Sequence, residues 1–286
     1  MKTTLRCLAI ALASLLFGAL AQGQNLFVSV YGGNIYEFNA NGGSSTFASG
    51  LNVPAGLAFN SAGDLFEGDF GSGNIYEFNA NGGSSTFASG LNGPFGLAFN
   101  SAGDLFEADK YTGKIYEFTP NGGSSTFASG LKSPLGLAFN SAGDLFEVDN
   151  GSGHIYEFTP NGGSSTFASG LGWPCGLAFN SAGDLFEADY GRSNVYEFTF
   201  NGTMSTFASG LSSPYWLAFN STGDLFVTGY NTRYITEITP SGVESTFASG
   251  LANPMGLAFE EAIPEPFTLA LVGLGVIALL GVRRRN

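Results

Sequence analysis

Residues 51–250 are five tandem copies of one 40-residue unit, and that period constrains the fold more than any other feature of the chain. Leu51, Leu91, Leu131, Leu171 and Leu211 each follow Ala-Ser-Gly and open a copy, and Leu251 begins a sixth that breaks off. Periods of this size belong to solenoids and propellers, in which each unit is one supersecondary module buried against its neighbours. Within the unit LNGPFGLAFNSAGDLFEADKYTGKIYEFTPNGGSSTFASG, the strand-favouring residues Leu, Phe, Ile, Tyr and Thr fall into four short runs, 96–100, 104–109, 114–119 and 124–129. Ser-Ala-Gly, a loop at 110–113 and Pro-Asn-Gly-Gly separate them, and the Asn-Gly and Gly-Gly pairs supply the positive φ of tight hairpin turns. Helical patterning is absent between Gln24 and Ala262. Four antiparallel strands per repeat make one blade of a β-propeller, so the expected fold class is all-β.

The two edges of the array fix the blade number. Ahead of the first full copy, 26–31, 34–38 and 45–49 match the second, third and fourth strands, and the first is missing. After the last full copy, 254–259 matches a first strand alone. The fragments complete one blade shared between the ends (25–50 with 251–259), which closes the ring and removes the open edge. Blades at 51–90, 91–130, 131–170, 171–210 and 211–250 bring the total to six, over 25–261. A linear solenoid would carry capping ends instead of complementary fragments.

Both termini carry targeting features. Lys2 and Arg6 precede an apolar run from Leu8 to Leu20 and the small-x-small triplet Ala19-Leu20-Ala21, the pattern of a signal peptide over 1–21. That run is shorter than the ~20 residues of a membrane span, which argues against a retained anchor. Only Cys175 remains after its removal, so no intrachain disulfide can form, and a small buried apolar role is expected of it. At the other end, 267–282 is uncharged and would extend about 24 Å as a helix, marginal for a ~30 Å hydrocarbon core. Arg283, Arg284 and Arg285 follow and would hold that end on the cytoplasmic side of the inner membrane. Pro264-Glu265-Pro266 stands immediately before the span. In that order, within 264–286, these parts resemble the PEP-CTERM sorting signal of Gram-negative bacteria. The resemblance implies recognition by exosortase, cleavage near Pro-Glu-Pro, and delivery to the cell surface or extracellular matrix. A plain tail anchor is the alternative, although Pro264 and Pro266 would interrupt a continuing helix.

The repeat itself resembles the NHL repeat and the gluconolactonase and streptogramin lyase propellers. The shared frame is Pro94-x-Gly96-Leu97-Ala98, Gly103-x-Leu105, Ala108-Asp109, Ile115 and Phe118, with Glu107 standing where the NHL pattern has an apolar residue. The resemblance implies the six-bladed fold; because it spans enzymes and binding proteins, it leaves the activity open.

Charge narrows the partners. Between Gln24 and Ala262 there are 22 Asp and Glu against five Lys and Arg, a net of −17, which opposes nucleic acid binding. Four blades carry Glu-x-Asp at one position: Glu67 and Asp69, Glu107 and Asp109, Glu147 and Asp149, Glu187 and Asp189. Strand alternation places both members of a pair on one side. Crowded carboxylates require a cation, hydrogen bonds or raised pKa values. Ca2+ is one candidate; the other is that each Asp bonds backbone N–H groups in its own loop while each Glu partners a neighbouring blade.

The loops on one face, here the upper face, differ between copies, whereas the lower loops repeat Asn-Ser-Ala-Gly-Asp almost unchanged. The upper loops hold Phe95, Tyr111, His154, Trp173, Tyr190, Arg192, Tyr215, Trp216, Tyr230 and Arg233. Aromatic rings beside acids are expected of a sugar-binding surface, with packing over the channel mouth as the alternative for Trp173 and Trp216. His154, the only histidine, could serve as a base but has no sequence-fixed partner. No nucleophile elbow, zinc motif or Cys pair is present. The expected function is an exported binding or scaffold module for polysaccharide or protein. The alternative is a metal-dependent lactonase or lyase using the central cavity.

Overall fold

The computed structural model describes residues 24–80 and 82–260. All regular structure among them is β: six four-stranded antiparallel sheets, each a propeller blade. Blade 1 runs outward from the axis as Pro54–Phe59, Leu65–Asp69, Asn74–Phe78 and Ser84–Ala88, and blades 2 to 5 repeat it. Blade 6 takes its inner strand, Pro254–Phe259, from the end of the chain and its other three, Leu26–Val30, Asn34–Phe38 and Ser44–Ser49, from the beginning. Leu26 pairs with Phe259, Phe27 with Ala258 and Val28 with Leu257, so head and tail close the ring as the fragment arithmetic requires.

The strands differ from the sequence reading at their ends. Inner strands begin at Pro94 and its equivalents, two residues before Gly96. A proline at a first strand position sacrifices no ladder bond. The register shifts between Pro94 and Leu97, so the intervening Phe95-Gly96 pair forms a bulge. Second strands begin at Leu105 because the Asp104 N–H is donated to Asn100 Oδ1 in the lower turn. Third strands stop at Phe118 because the Thr119 hydroxyl accepts the Gly123 N–H and starts the turn.

Blades are joined by apolar faces. Phe66 and Ile75 of blade 1 pack against Leu97, Leu105 and Phe118 of blade 2, and the same contact recurs around the ring. Phe66 meets Phe87 and Phe99 edge-to-face at 5.1 and 5.0 Å. Each buried phenylalanine contributes about 1.5–3 kcal/mol, and each ring pair about 0.5–1.5 kcal/mol more.

At the axis the inner strands approach backbone to backbone. A Cβ on Gly96 would lie 1.9 Å from the Leu135 carbonyl oxygen of the next blade, which explains the Pro-x-Gly frame. Blade 5 has Trp216 instead of glycine. There the Thr228 hydroxyl enters the gap, accepting the Trp216 N–H at 3.0 Å and donating to the Met255 carbonyl at 2.9 Å. Ser29 acts likewise in blade 6, accepting from Gly256 N–H and donating to the Ala55 carbonyl.

The near-identity of the lower loops has a local cause. Asn60 Oδ1 accepts the N–H groups of Ala62 and Asp64 while its Nδ2 donates to Asp64 Oδ2, closing an Asx turn. Asn100, Asn140, Asn180 and Asn220 repeat it.

Candidate functional site

The Glu-x-Asp pairs separate into two sets. Each Asp fastens the upper loops of its own blade. Asp69 accepts the N–H groups of Asn52 and Ser72 at 2.6 and 2.9 Å, and Asp109 those of Asn92 and Thr112. Asp149 accepts from Lys132, Ser133 and Ser152, and Asp189 from Gly172, Trp173 and Arg192. One carboxylate thereby ties the incoming loop to the outgoing loop, which realises the loop-bonding alternative for these four residues.

The four Glu residues differ. Glu67, Glu107, Glu147 and Glu187 are fully buried, and neither oxygen of any of them has a hydrogen-bond partner. The equivalent Val227 packs with Ala188 and Val195 of the preceding blade, an apolar setting for this position. Burial, reinforced by the adjacent Asp charge, holds all four carboxyls well above the usual carboxylate range. Backbone N–H groups at Ala55, Phe95 and Cys175 lie close enough to temper the shift for Glu67, Glu107 and Glu187, without reaching hydrogen-bond geometry. One of the two alternatives drawn from the sequence gave each Glu a partner on a neighbouring blade; no carboxyl oxygen of the four has a hydrogen-bond partner. Among the described residues no group of three or more His, Cys, Asp and Glu side chains is placed to hold a metal ion. The carboxylates do not gather into the Ca2+ site considered above.

Convergence occurs on the axis instead. Ala55, Phe95, Leu135, Cys175, Trp216 and Met255, with Tyr215 against them, form one apolar cluster drawn from all six blades. Only the axis permits such a contact. The x of Pro-x-Gly is Ala55, Phe95, Leu135, Cys175, Tyr215 and Met255 in turn, a different residue in every copy, with Trp216 added from the glycine position of blade 5. Phe95 of blade 2 reaches Tyr215 and Trp216 of the opposite blade at 6.1 and 5.9 Å between ring centres, closing the axis at this level. Burial holds the Cys175 thiol far above its ordinary pKa, and the thiol donates to the Trp173 carbonyl.

Above this floor stands a second ring of six: Tyr31, Phe70, Lys110, Asn150, Tyr190 and Tyr230, the first residue of each outgoing loop. In every blade the N–H of this residue donates, at 3.0 to 3.2 Å, to the carbonyl of the residue preceding the inner-strand proline. That bond carries the second strand one step beyond its Asp and brings the side chain in over the inner strand. The rings then link across the face. Tyr111 meets Phe70, Phe70 meets Phe95, and Phe95 meets Tyr215, at 5.5, 5.8 and 6.1 Å. From Tyr215 the track continues to Tyr230 at 4.9 Å and to Tyr190 at 6.4 Å, and Trp173 stacks on Tyr190 at 5.9 Å. Tyr111 and Trp173, at its two ends, are 63% and 59% exposed. Lys110 sits over its middle, its ammonium 5.7 Å from the Phe70 ring and 5.4 Å from Phe95.

The sequence-derived candidates are thus sorted. Tyr111, Trp173, Tyr190, Tyr215 and Tyr230 share the track. Phe95 and Trp216 are buried beneath it as packing. Arg192 is turned to its own loops, donating to the Gly170 carbonyl and lying 4.0 Å from Asp189. Arg233 is exposed. His154 opens a third strand, and its Nδ1 lies 3.1 Å from the Tyr156 hydroxyl, well outside the axial cluster. Sequence reasoning passed over Phe70, Lys110, Asn150 and Tyr31. Their signal was positional: each directly follows the second strand, at the place held by Tyr190 and Tyr230 in blades 4 and 5.

Both ends of the described chain lie on the lower face. The Glu260 N–H donates to the Asn25 carbonyl at 3.0 Å, just below the pairing of Phe259 with Leu26. Residues 262–285, which follow at once, match the PEP-CTERM protein-sorting motif. The C-terminus is a PEP-CTERM sorting signal. The signal indicates export, membrane-anchored sorting in Gram-negative bacteria, and processing by exosortase. The expected signal peptide at 1–21, the apolar span at 267–282, Pro264-Glu265-Pro266 and Arg283 to Arg285 fall outside the described residues. Among the described residues no helix is long and apolar enough to cross a membrane.

No curated protein matches the chain. Solved structures match its propeller. A chain of the nidogen/laminin complex superposes with a TM-score of 0.77 at 20% identity, covering 85% of this chain and 100% of that one. Virginiamycin B lyase from Staphylococcus aureus gives 0.66 at 16% identity over 84% and 94%. A gluconolactonase from Xanthomonas campestris gives 0.67 at 21% identity over 72% and 79%. At these identities the likeness establishes the six-bladed fold.

Proposed function

We propose that this chain is an exported, noncatalytic propeller that binds a polysaccharide along the aromatic track of its upper face. The observation that carries the reading is the run of rings from Tyr111 to Trp173, whose two exposed ends are joined through the buried ring of Phe95. Flat, half-exposed Tyr and Trp rings offer large contact area for little conformational entropy, and the carbon-bound hydrogens of a pyranose ring lie flat on such a surface. Orientation supports it. The sorting signal begins two residues beyond Glu260, on the lower face, so a tethered propeller turns its lower face to the membrane and its track outward. Cell-surface or matrix delivery after exosortase processing completes the reading.

The lactonase or lyase alternative is disfavoured because the axial floor is apolar, aromatic or a protonated thiol, and the ring above it adds Lys110 and Asn150 but no carboxylate or imidazole. Catalysis needs dissimilar polar groups converging on one point.

The test is a glycan-binding screen on the full-length chain in detergent, followed by Trp173→Ala and Tyr190→Ala. Each substitution is expected to weaken binding of any glycan found by about tenfold, the worth of ~1.4 kcal/mol of lost contact. Binding unchanged in both variants would move the site off the track.

A further inference from the structure

We propose that Lys110 is an anion-recognition point at the centre of the track, and that the ligand is an acidic polysaccharide whose uronate carboxylate it takes. This rests on the reading that the track binds a glycan.

The first support is geometry. Of the six residues on the upper axial ring, Lys110 alone is cationic, and its ammonium is held over the faces of Phe70 and Phe95 instead of a carboxylate. Among the described residues the one ion pair is Arg192 with Asp189, so Lys110 carries an uncompensated charge. The upper-loop carboxylates of its own and the next blade, Asp109 and Asp149, are each already engaged by backbone N–H donors. Burial has stripped part of the ammonium's water and lowers its pKa. A half-desolvated cation without a partner gains more from an incoming anion than a surface lysine does.

The second support is the placement of charge across the molecule. All five described Lys and Arg residues, Lys110, Lys114, Lys132, Arg192 and Arg233, belong to the upper loops or the upper strand ends. The lower turns carry Asp64, Asp104, Asp144, Asp184 and Asp224 and no cation. A polyanion is therefore repelled from the lower face and admitted only at the upper one. The third is the company Lys110 keeps. The Tyr190 hydroxyl accepts from Asn231 Nδ2, leaving its own hydrogen for a ligand oxygen. Asn150 Nδ2 is committed to the Pro174 carbonyl, which turns its amide oxygen into an acceptor for sugar hydroxyls. Rings flanking a cation, with a donor and an acceptor beside it, fit an acidic pyranose better than an isolated inorganic anion.

The probe is an α-1,4-linked galacturonic acid tetrasaccharide and its methyl ester, which share a skeleton and differ in charge, titrated calorimetrically into the full-length chain in detergent. The wild type is expected to bind the acid at least tenfold more tightly than the ester. Lys110→Gln is expected to bring the ratio of acid to ester affinity to about one, and Lys110→Arg to retain the preference. Equal affinity of the wild type for acid and ester, or a preference that survives in Lys110→Gln, overturns the anion site and leaves the glycan reading standing. Failure of both forms to bind overturns the two together.

Discussion

Replacing Glu147 with methionine should stabilise this protein, and by more as the pH rises. Glu147 is fully buried, neither carboxyl oxygen has a partner, and no backbone N–H tempers its raised pKa. Blades 5 and 6 place Val227 and Val28 at the same position, so the fold accepts an apolar side chain there. Methionine keeps the length of glutamate and discards the polar group, which avoids the cavity a valine would leave. An unsatisfied buried polar group costs about 1–3 kcal/mol, and Glu147→Met should recover that amount. In a domain of this size each 1 kcal/mol raises the melting temperature by roughly 2–4 °C. The pH dependence has a definite sign. A carboxyl whose folded pKa is raised binds its proton more tightly in the native state. Stability from it is therefore complete below the ordinary carboxylate pKa and is lost as pH climbs through the higher native value. Each pKa unit is worth about 1.36 kcal/mol. Urea unfolding of the full-length chain in detergent, followed by the fluorescence of Trp173 and Trp216 at pH 5 and pH 8, reads both effects. A variant less stable than wild type at pH 8, or a difference that is the same at both pH values, would show that Glu147 is paired after all.

Three further substitutions probe the ring. Val53 is β-branched with φ at +62°, where Gly93 stands in blade 2, so Val53→Gly should gain about 1 kcal/mol in the urea midpoint; no gain would mean the left-handed turn is unstrained. Gly96→Ala should lose about 3 kcal/mol or more, because the new methyl would meet the Leu135 carbonyl; an unchanged midpoint would show that the inner strands have room to part. Thr228→Val strips the hydroxyl bridging Trp216 and Met255 and should cost about 1–3 kcal/mol in the same assay, a result that an unaltered midpoint would contradict.

The architecture was legible because the repeat period, the turn residues and the complementary end fragments are all local facts of sequence. The site was less so. Asp69 and Glu67 sit two residues apart on one strand face, yet one meets backbone donors in its loops and the other meets an apolar neighbouring blade, a difference set by blade packing that alternation cannot show. Phe95 and Trp216 looked like loop residues until the strand was found to begin at proline, which turns them inward. Lys110 hid among variable loop positions because its place over Phe70 and Phe95 is set by two blades converging on the axis.

Ring closure is the premise that gathers these side chains at one rim and sets both ends of the described chain at the opposite face. Amide hydrogen exchange on the full-length chain measures it directly. The N–H groups of Leu26 to Val30 and Leu257 to Phe259 should be protected as strongly as those of Leu105 to Asp109 and Leu97 to Phe99 in blade 2. Fast exchange confined to the first two segments would show that the ends do not pair, and the shared blade, the axial rim and the outward-facing track would fall with it.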